Sequence, residues 1–243
     1  MTITILYEDN HLLVAEKESQ TLIKHKTKKN TLKNKLNKKL TSREEKDQVW
    51  IKNLRLIDNH VGGTALFAKS SKAYTRLRQQ LKKQKIRQIY FAVVNGMVAA
   101  DFGTVTNHVM KSPDKRLHIV DSQNPYGEQS TFSYYVVDRS AEHTLLAIPT
   151  KTGITKQIRA QLKNMGHSVY GDRRYGKNCS KQIPLALWSV QLRCYHPTLK
   201  KKISIVSSPP SCYPWSEFDH SGQIDQAIEN VYRKIKYEKK KHL

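Results

Sequence analysis

Cysteine is scarce: Cys179, Cys194 and Cys212 are the only three in 243 residues, and no two form a Cys-x-x-Cys pair. That excludes a disulfide framework and a structural zinc site, which needs four convergent ligands; His196, near Cys194, is an isolated neighbour. The odd, unspaced count fits free thiols in a reducing compartment. Glycine is sparse too, at ten residues, and builds neither a phosphate-cradling loop nor a nucleophile elbow. No apolar run approaches the roughly 18 residues of a membrane-spanning helix. The start, Met1 to Asp9, is mixed and acidic-tipped rather than a signal peptide, so a cytoplasmic protein is expected. Acidic residues are the scarcest class relative to their opposites. Asp and Glu number 20 against 43 Lys and Arg, leaving a formal charge of +23. Such an excess costs self-repulsion and points to a polyanionic partner, with nucleic acid favoured over an anionic membrane.

What is present suffices for globular order. The hydrophobic fraction is 38%, and the length allows one large domain or two small ones with a real core. Residues 3–7 and 11–15 read as two strands around the turn Glu8-Asp9-Asn10. From Ser19 to Arg43 there is no acidic residue, and Leu32, Leu36 and Leu40 recur every four residues behind a capping Thr31. This predicts a helix with a narrow apolar stripe and a lysine-rich outside. A second helix is expected over 70–85, with Ala73, Leu77 and Leu81 on one side. A third is expected over 156–165, stopped by Gly166, and a terminal one carries Ile224, Ile228, Val231 and Ile235. Strands are expected over 89–94, 103–105, 117–120, 129–137, 144–149, 185–194 and 202–206. Strands outnumber helices and cluster in runs, which gives an α+β class with a mixed or antiparallel sheet. No internal repeat or long linker is present.

Pattern alone leaves three polar residues beside glycines at element junctions. Asp58 precedes Gly62-Gly63, Arg159 follows Thr152-Gly153, and Asp172 sits in Gly171-Asp172-Arg173-Arg174-Tyr175-Gly176. Taken singly, each is more often a surface or turn residue than a catalyst.

Together these segments carry a resemblance. Ile5 to Val14, Leu66 to Ser70, Tyr90 to Gly96, Thr152 to Arg159, Gly166 to Asp172 with Tyr175-Gly176, Leu185 to Leu187, and His196-Pro197 follow one another in order. Over residues 3–218 the chain resembles an RluA-type RNA pseudouridine synthase. The resemblance implies the pseudouridine synthase catalytic fold, α+β with a mixed, largely antiparallel central sheet flanked by helices. It implies a catalytic domain over 1–220 with a lysine-rich helical insertion near 24–45, then a C-terminal helix and basic tail over 221–243. The family's catalytic motif, His-Arg-Leu-Asp ending in Ser-Gly, anchors on Gly63 and places its Asp at Asp58. In that register Arg55, Leu56 and Ile57 stand for His, Arg and Leu. A rival register pairs Arg55-Leu56 with Arg-Leu and displaces Asp58 by one residue. Gly62 replaces the Ser. Tyr90 matches the second site residue, with Gln88 in place of Lys. Arg159 matches the third, with Ile154 and Lys156 replacing the inner Arg and His. Trp188 stands where the family has His.

Pseudouridylation breaks the bond from uridine N1 to C1′, turns the uracil and rejoins it through C5. Nothing is oxidised or hydrolysed, so neither metal nor redox cofactor is called for. The resemblance thus gives Asp58 as the carboxylate near C1′, either nucleophile or base at C2′. Tyr90 becomes the ring that stacks on the base and Arg159 the cation that keeps Asp58 ionised. The target must leave its stack to react. The expected partner is ribosomal or transfer RNA, bound by a monomer. Its phosphates would be held by Lys24, Lys26, Lys28, Lys29, Lys33, Lys35, Lys38 and Lys39, by Lys82, Lys83, Lys85 and Arg87, and by the basic tail. Asp172, His167 and His196 are read as structural. The eroded motif keeps a second expectation open: an inactive relative that binds RNA in ribosome assembly.

Overall fold

A computed structural model describes the chain except for residues 1–2, 24–29, 45–48, 55, 115, 151–154, 177–179, 181, 219–223 and 242–243. The expectations for Lys24, Lys26, Lys28, Lys29, Arg55 and Thr152 to Ile154 fall outside the described residues. The chain forms two compact units that it enters more than once. One takes residues 1–88, 151–153 and 188–207; the other takes 89–150, 154–187 and 208–243.

The first unit is built on β1 (Ile5–Glu8), β2 (Leu12–Lys17), β3 (Lys52–Asn53), β4 (Gly62–Ala68), β10 (Leu187–Tyr195) and β11 (Lys202–Val206). Its strand order is β1-β2-β4-β10, with β3 on β4 and β11 on β10. The β4–β10 pair is parallel, and the others are antiparallel. All seven residues of β4 are buried, so its apolar run lacks the alternation of a half-exposed strand. Sequence reasoning assigned no strand here; a continuous apolar run behind two glycines carries no period-2 alternation to mark one. Helix α2 (Ser71–Lys82) starts where Ser70 accepts a hydrogen bond from the Ala73 amide at 3.2 Å. It buries Ala73 and Leu77 in a cluster with Leu12, Val14, Leu66 and Leu192. The lysine-rich helix α1 (Leu32–Glu44) has the expected cap, the Asn34 amide donating to Thr31 Oγ1 at 3.3 Å. Leu32, Leu36 and Leu40 are buried on its stripe.

The second unit holds β5 (Arg87–Asn95, past its first two residues), β6 (Phe102–Lys111), β7 (Leu117–Val120), β8 (Glu128–Arg139) and β9 (His143–Thr150), in the order β5-β9-β8-β6-β7. The β6–β7, β6–β8 and β8–β9 pairs are antiparallel. Strand β6 runs well past the expected 103–105. Its outward Thr104 and Thr106 pair with Ser133 and Thr131 on β8 at 3.1 and 2.9 Å, a cross-strand support that apolar alternation does not reveal. Helix α3 (Thr155–Asn164) lies against β6 and β7, and α4 (Ile224–Lys241) against β9. Gly166 ends α3 in the left-handed region at φ 92°, as its type predicts. The parallel pair among antiparallel ones, flanked by helices, gives the mixed α+β class read from the sequence. No helix among the described residues is long and apolar enough to cross a membrane.

Candidate active site

Asp58 stands in the first unit, on the loop that leads into β4. Leu54, Leu56, Ile57 and Val61 around it are buried, while Asp58 itself is half-buried. The flanking apolar side chains fix the loop, and Asp58 between them is only partly enclosed. Its Oδ1 accepts from the Asn59 amide at 2.7 Å. Lys17, the last residue of β2, closes the loop from below. It is wholly enclosed, and its Nζ donates to the carbonyls of Asn59 at 2.7 Å and Glu18 at 3.0 Å. Burial pushes the Lys17 ammonium down to about 7, and the negative charge of Asp58 opposes that shift. Within this unit Lys17 is thus an amine close to Asp58 that is cationic below about pH 7, and sequence reasoning missed it. The sequence signal was slight: a lysine ending a strand whose first four residues, Leu12 to Ala15, are apolar; its place opposite Gly63 comes with the fold.

The two glycines after this loop have separate reasons. Gly63 lies at φ 98°, and a Cβ there would meet the Ser189 carbonyl oxygen at 2.3 Å. Only glycine permits this approach of β4 to β10. A Cβ on Gly62 would meet the Trp188 ring at 2.1 Å. The indole is buried, and its N–H donates to Ser207 Oγ at 3.0 Å, whose hydroxyl in turn donates to Glu16 at 2.7 Å. The absent side chain at 62 and the large one at 188 therefore fit together. Gln88 is also accounted for. Its amide donates to Ser189 Oγ at 2.9 Å, and Ser189 shares a 2.7 Å hydrogen bond with Thr64. This chain of groups is neutral and buried, and a lysine there would bring a charge into it.

Tyr90 and Arg159 belong to the second unit. Tyr90 is wholly enclosed on β5. Helix α3 is pinned by buried Gln161, whose amide donates to the Ser130 carbonyl at 2.9 Å and to Asn107 at 3.1 Å, and which accepts from Ser130 Oγ at 3.1 Å. Two residues earlier Arg159 turns into the interior. Sequence reasoning gave its guanidinium to Asp58; in this unit its fork grips Asp172, Nε to Oδ2 at 2.8 Å and Nη2 to Oδ1 at 2.7 Å. Arg159 is 3% and Asp172 0% exposed, so the pair is desolvated. The guanidinium also lies over the Tyr175 ring, 5.3 Å from its centroid. Asp172 has its expected turn role as well, its Oδ1 accepting from the amides of Arg174 at 2.9 Å and Tyr175 at 3.1 Å. What sequence reasoning missed is that the turn carboxylate is also the arginine's partner. The spacing Gly-Asp-x-x-Tyr-Gly is its only sequence trace.

The histidines are structural, as read. His196 Nε2 lies 2.7 Å from Asp9, while Nδ1 accepts from the amides of Thr198 and Leu199. That leaves the proton on Nε2. His167 Nδ1 lies 3.0 Å from the Asn95 carbonyl. Among the lysine candidates, Lys38, Lys39, Lys82 and Lys83 are exposed, as is Arg87; Lys33 and Lys35 are half-buried. Of the thiols, Cys194 is buried and pushed up to about 12 by that burial, so it is inert at neutral pH.

Known proteins share this architecture. The family model described as RNA pseudouridylate synthase matches residues 11–164, which takes in Asp58, Tyr90 and Arg159. A solved human structure, RNA pseudouridylate synthase domain containing 1, superposes with a TM-score of 0.75 over 95% of each chain at 19% identity, a likeness of fold. An RNA pseudouridine synthase of Aquifex aeolicus is 30% identical over 182 residues, 68% of this chain and 56% of the relative. The ribosomal large subunit pseudouridine synthase D of Buchnera aphidicola from Baizongia pistaciae is 29% identical over 227 residues, 86% of this chain and 69% of the relative. The chain spans little more than half the length of several of these relatives. It belongs to the RNA pseudouridylate synthase family. Within that family it is of the RluA type, alongside relatives named ribosomal large subunit pseudouridine synthases C and D.

Proposed function

We propose that this chain isomerises uridine to pseudouridine in structured RNA, with ribosomal RNA the favoured substrate. The observation that carries the reading is Asp58: a half-buried acid between the buried Ile57 and Val61, on a loop held by Lys17 and by the glycine-dependent start of β4, inside the matched family segment. The reaction is balanced within one nucleoside. The N1–C1′ bond breaks, the C5–C1′ bond forms, the C5 proton leaves and N1 gains a proton. Asp58 acts near C1′, as nucleophile or as base at C2′. Tyr90 is assigned to stacking on the uracil and to removal of the C5 proton, and Arg159 to stabilising the anionic site. Support for ribosomal RNA comes from the relatives named as large-subunit synthases. The net charge of +23 supports RNA as the partner, and we assign the protein as a monomer acting in the cytoplasm.

Asp58→Asn is the test. It keeps size and removes charge, so RNA binding should stay near wild type while pseudouridine formation falls by orders of magnitude. The isomerisation is mass-neutral, so the product is read by chemical labelling or nucleoside chromatography on RNA from a deletion strain. Restoration of a missing pseudouridine by Asp58→Asn would reject the catalytic role. A second reading, an inactive RNA-binding factor in ribosome assembly, is favoured by one feature. The Trp188 ring fills the space over Gly62, where the family pattern has His and Ser. That reading wins if deletion removes no pseudouridine while ribosomal particles stall.

A further inference from the structure

A cleft of about 410 Å³ opens in the second unit, and all the residues that line it belong to that unit. It lies between the edge strand β7, helix α3 and the Asp172 turn. Its volume falls in the range of about 300–1,000 Å³ that suits a bound small group. Leu117, Ile119 and Ala160 give it an apolar floor, and cations stand round it from all three elements: Arg116 before β7, Lys163 on α3 and Arg174 on the turn. Asp114 is the acid at this rim. It pairs with Arg116 at 3.0 Å through Nε, and its carbonyl accepts from Arg174 Nη2 at 3.1 Å. Asp114 thus orients two of the cations and leaves Lys163 exposed. The fourth wall is Tyr175, whose hydroxyl accepts from the Leu117 amide at 3.0 Å. Along a strand, amides two residues apart turn to the same side, so the Ile119 main chain faces the cleft too.

We propose that this cleft binds one nucleotide of the RNA substrate, outside the position that reacts. The base rests on Leu117, Ile119 and Ala160 against the β7 edge, and the phosphate lies between Lys163 and Arg174. Apolar floor plus cationic rim is the chemistry of a nucleotide: a flat base and a charged backbone. A bare anion would leave the floor unused, and an apolar ligand would leave the charges of Lys163 and Arg174 unanswered. The cleft also has a mechanical link to the arginine the reaction is assigned. Tyr175 forms its wall and lies under the Arg159 guanidinium, while Asp172 Oδ1 takes both Arg159 and the amide of Arg174. A nucleotide held here fixes the side of the turn that positions Arg159. This rests on the reading of the chain as an RNA-modifying enzyme.

The test uses the full chain. Its variants are Lys163→Gln with Arg174→Gln, the single Lys163→Glu on the exposed face of α3, and a charge-matched control, Lys72→Gln with Lys201→Gln, in the other unit. Binding of single-stranded oligouridylate is titrated against salt. Loss of the one phosphate that these two cations share should reduce the log–log slope by about 0.7 and weaken binding about fivefold at moderate salt. The control should retain the wild-type slope, and ultraviolet cross-linking should place a nucleotide on the peptide carrying Leu117 or Tyr175. Equal weakening by cleft and control pairs, or an unchanged slope in Lys163→Glu with normal melting, overturns the cleft. If the wild type forms no pseudouridine yet the slope change appears, the enzyme reading fails and the cleft stands. If pseudouridine forms normally in every cleft variant and the slope does not move, the cleft fails and the enzyme reading stands.

Discussion

Three donors converge on one oxygen of Asp172, and a fourth reaches the other. Removing such a partner leaves the Arg159 charge buried and uncompensated, which costs about 3–5 kcal/mol. Asp172→Ala should therefore lower unfolding free energy by that amount in urea titration, far more than loss of a turn residue alone. A cost under about 1 kcal/mol would show that water reaches the pair. Lys17 gives the second expectation at this scale. Its folded-state pKa, about 7, lies below its ordinary 10.5. Below pH 7 both states hold the proton and the cost of burying the charge is constant. Between about 7 and 10.5 the unfolded chain keeps a proton that the fold has shed, so stability rises with pH through this window. Denaturation midpoints at pH 7 and 9.5 should diverge in wild type. Lys17→Met should flatten that rise, and an equal slope in both proteins would place the charge in solvent.

At the scale of elements, β4 and β10 depend on each other. The parallel register sets Trp188 beside Gly62 and Ser189 beside Gly63. Any side chain at 62 must displace the indole, and overpacking of this kind costs about 1–3 kcal/mol. Gly62→Ala should show that loss, and most of it should vanish in a Trp188→Leu background. A double-mutant cycle of thermal unfolding measures the coupling. Additive effects would mean the ring moves aside freely. The same register makes the large residue at 188 require the absent side chain at 62.

For the molecule as a whole, charge is the governing feature. With +23 and lysines on exposed helix faces, RNA affinity should be dominated by counterion release. About six phosphate contacts on a single strand give a log–log salt slope near −4. Neutralising Lys33, Lys35, Lys38 and Lys39 on α1 should flatten it by about 0.7 for each lysine engaged. Electrophoretic or fluorescence titrations over salt read this directly, and a salt-insensitive affinity would overturn the electrostatic account.

Much of this was legible without coordinates. Periodic leucines behind Thr31 specified α1, Ser70 and its apolar stripe specified α2, and the strands over 117–120 and 202–206 fall where β-rich runs between turn residues placed them. Local chemistry governs such features, so local sequence suffices. Asp58, Tyr90 and Arg159 were legible as candidates because their motif positions survive in order. Other features were not legible. Buried β4 hid behind its glycines, whose purpose is contact with β10 more than 100 residues later. Lys17 looked like one lysine among many until burial set it apart. Sequence patterns gave Arg159 to Asp58 and read Asp172 only as a turn residue; within the second unit the fold of the turn after α3 brings Asp172 to the guanidinium. Composition fixed the charge and the patterns fixed the elements. Which side chains lose water, and which then need each other, was decided by tertiary packing, because desolvation arises only where distant segments close over a group.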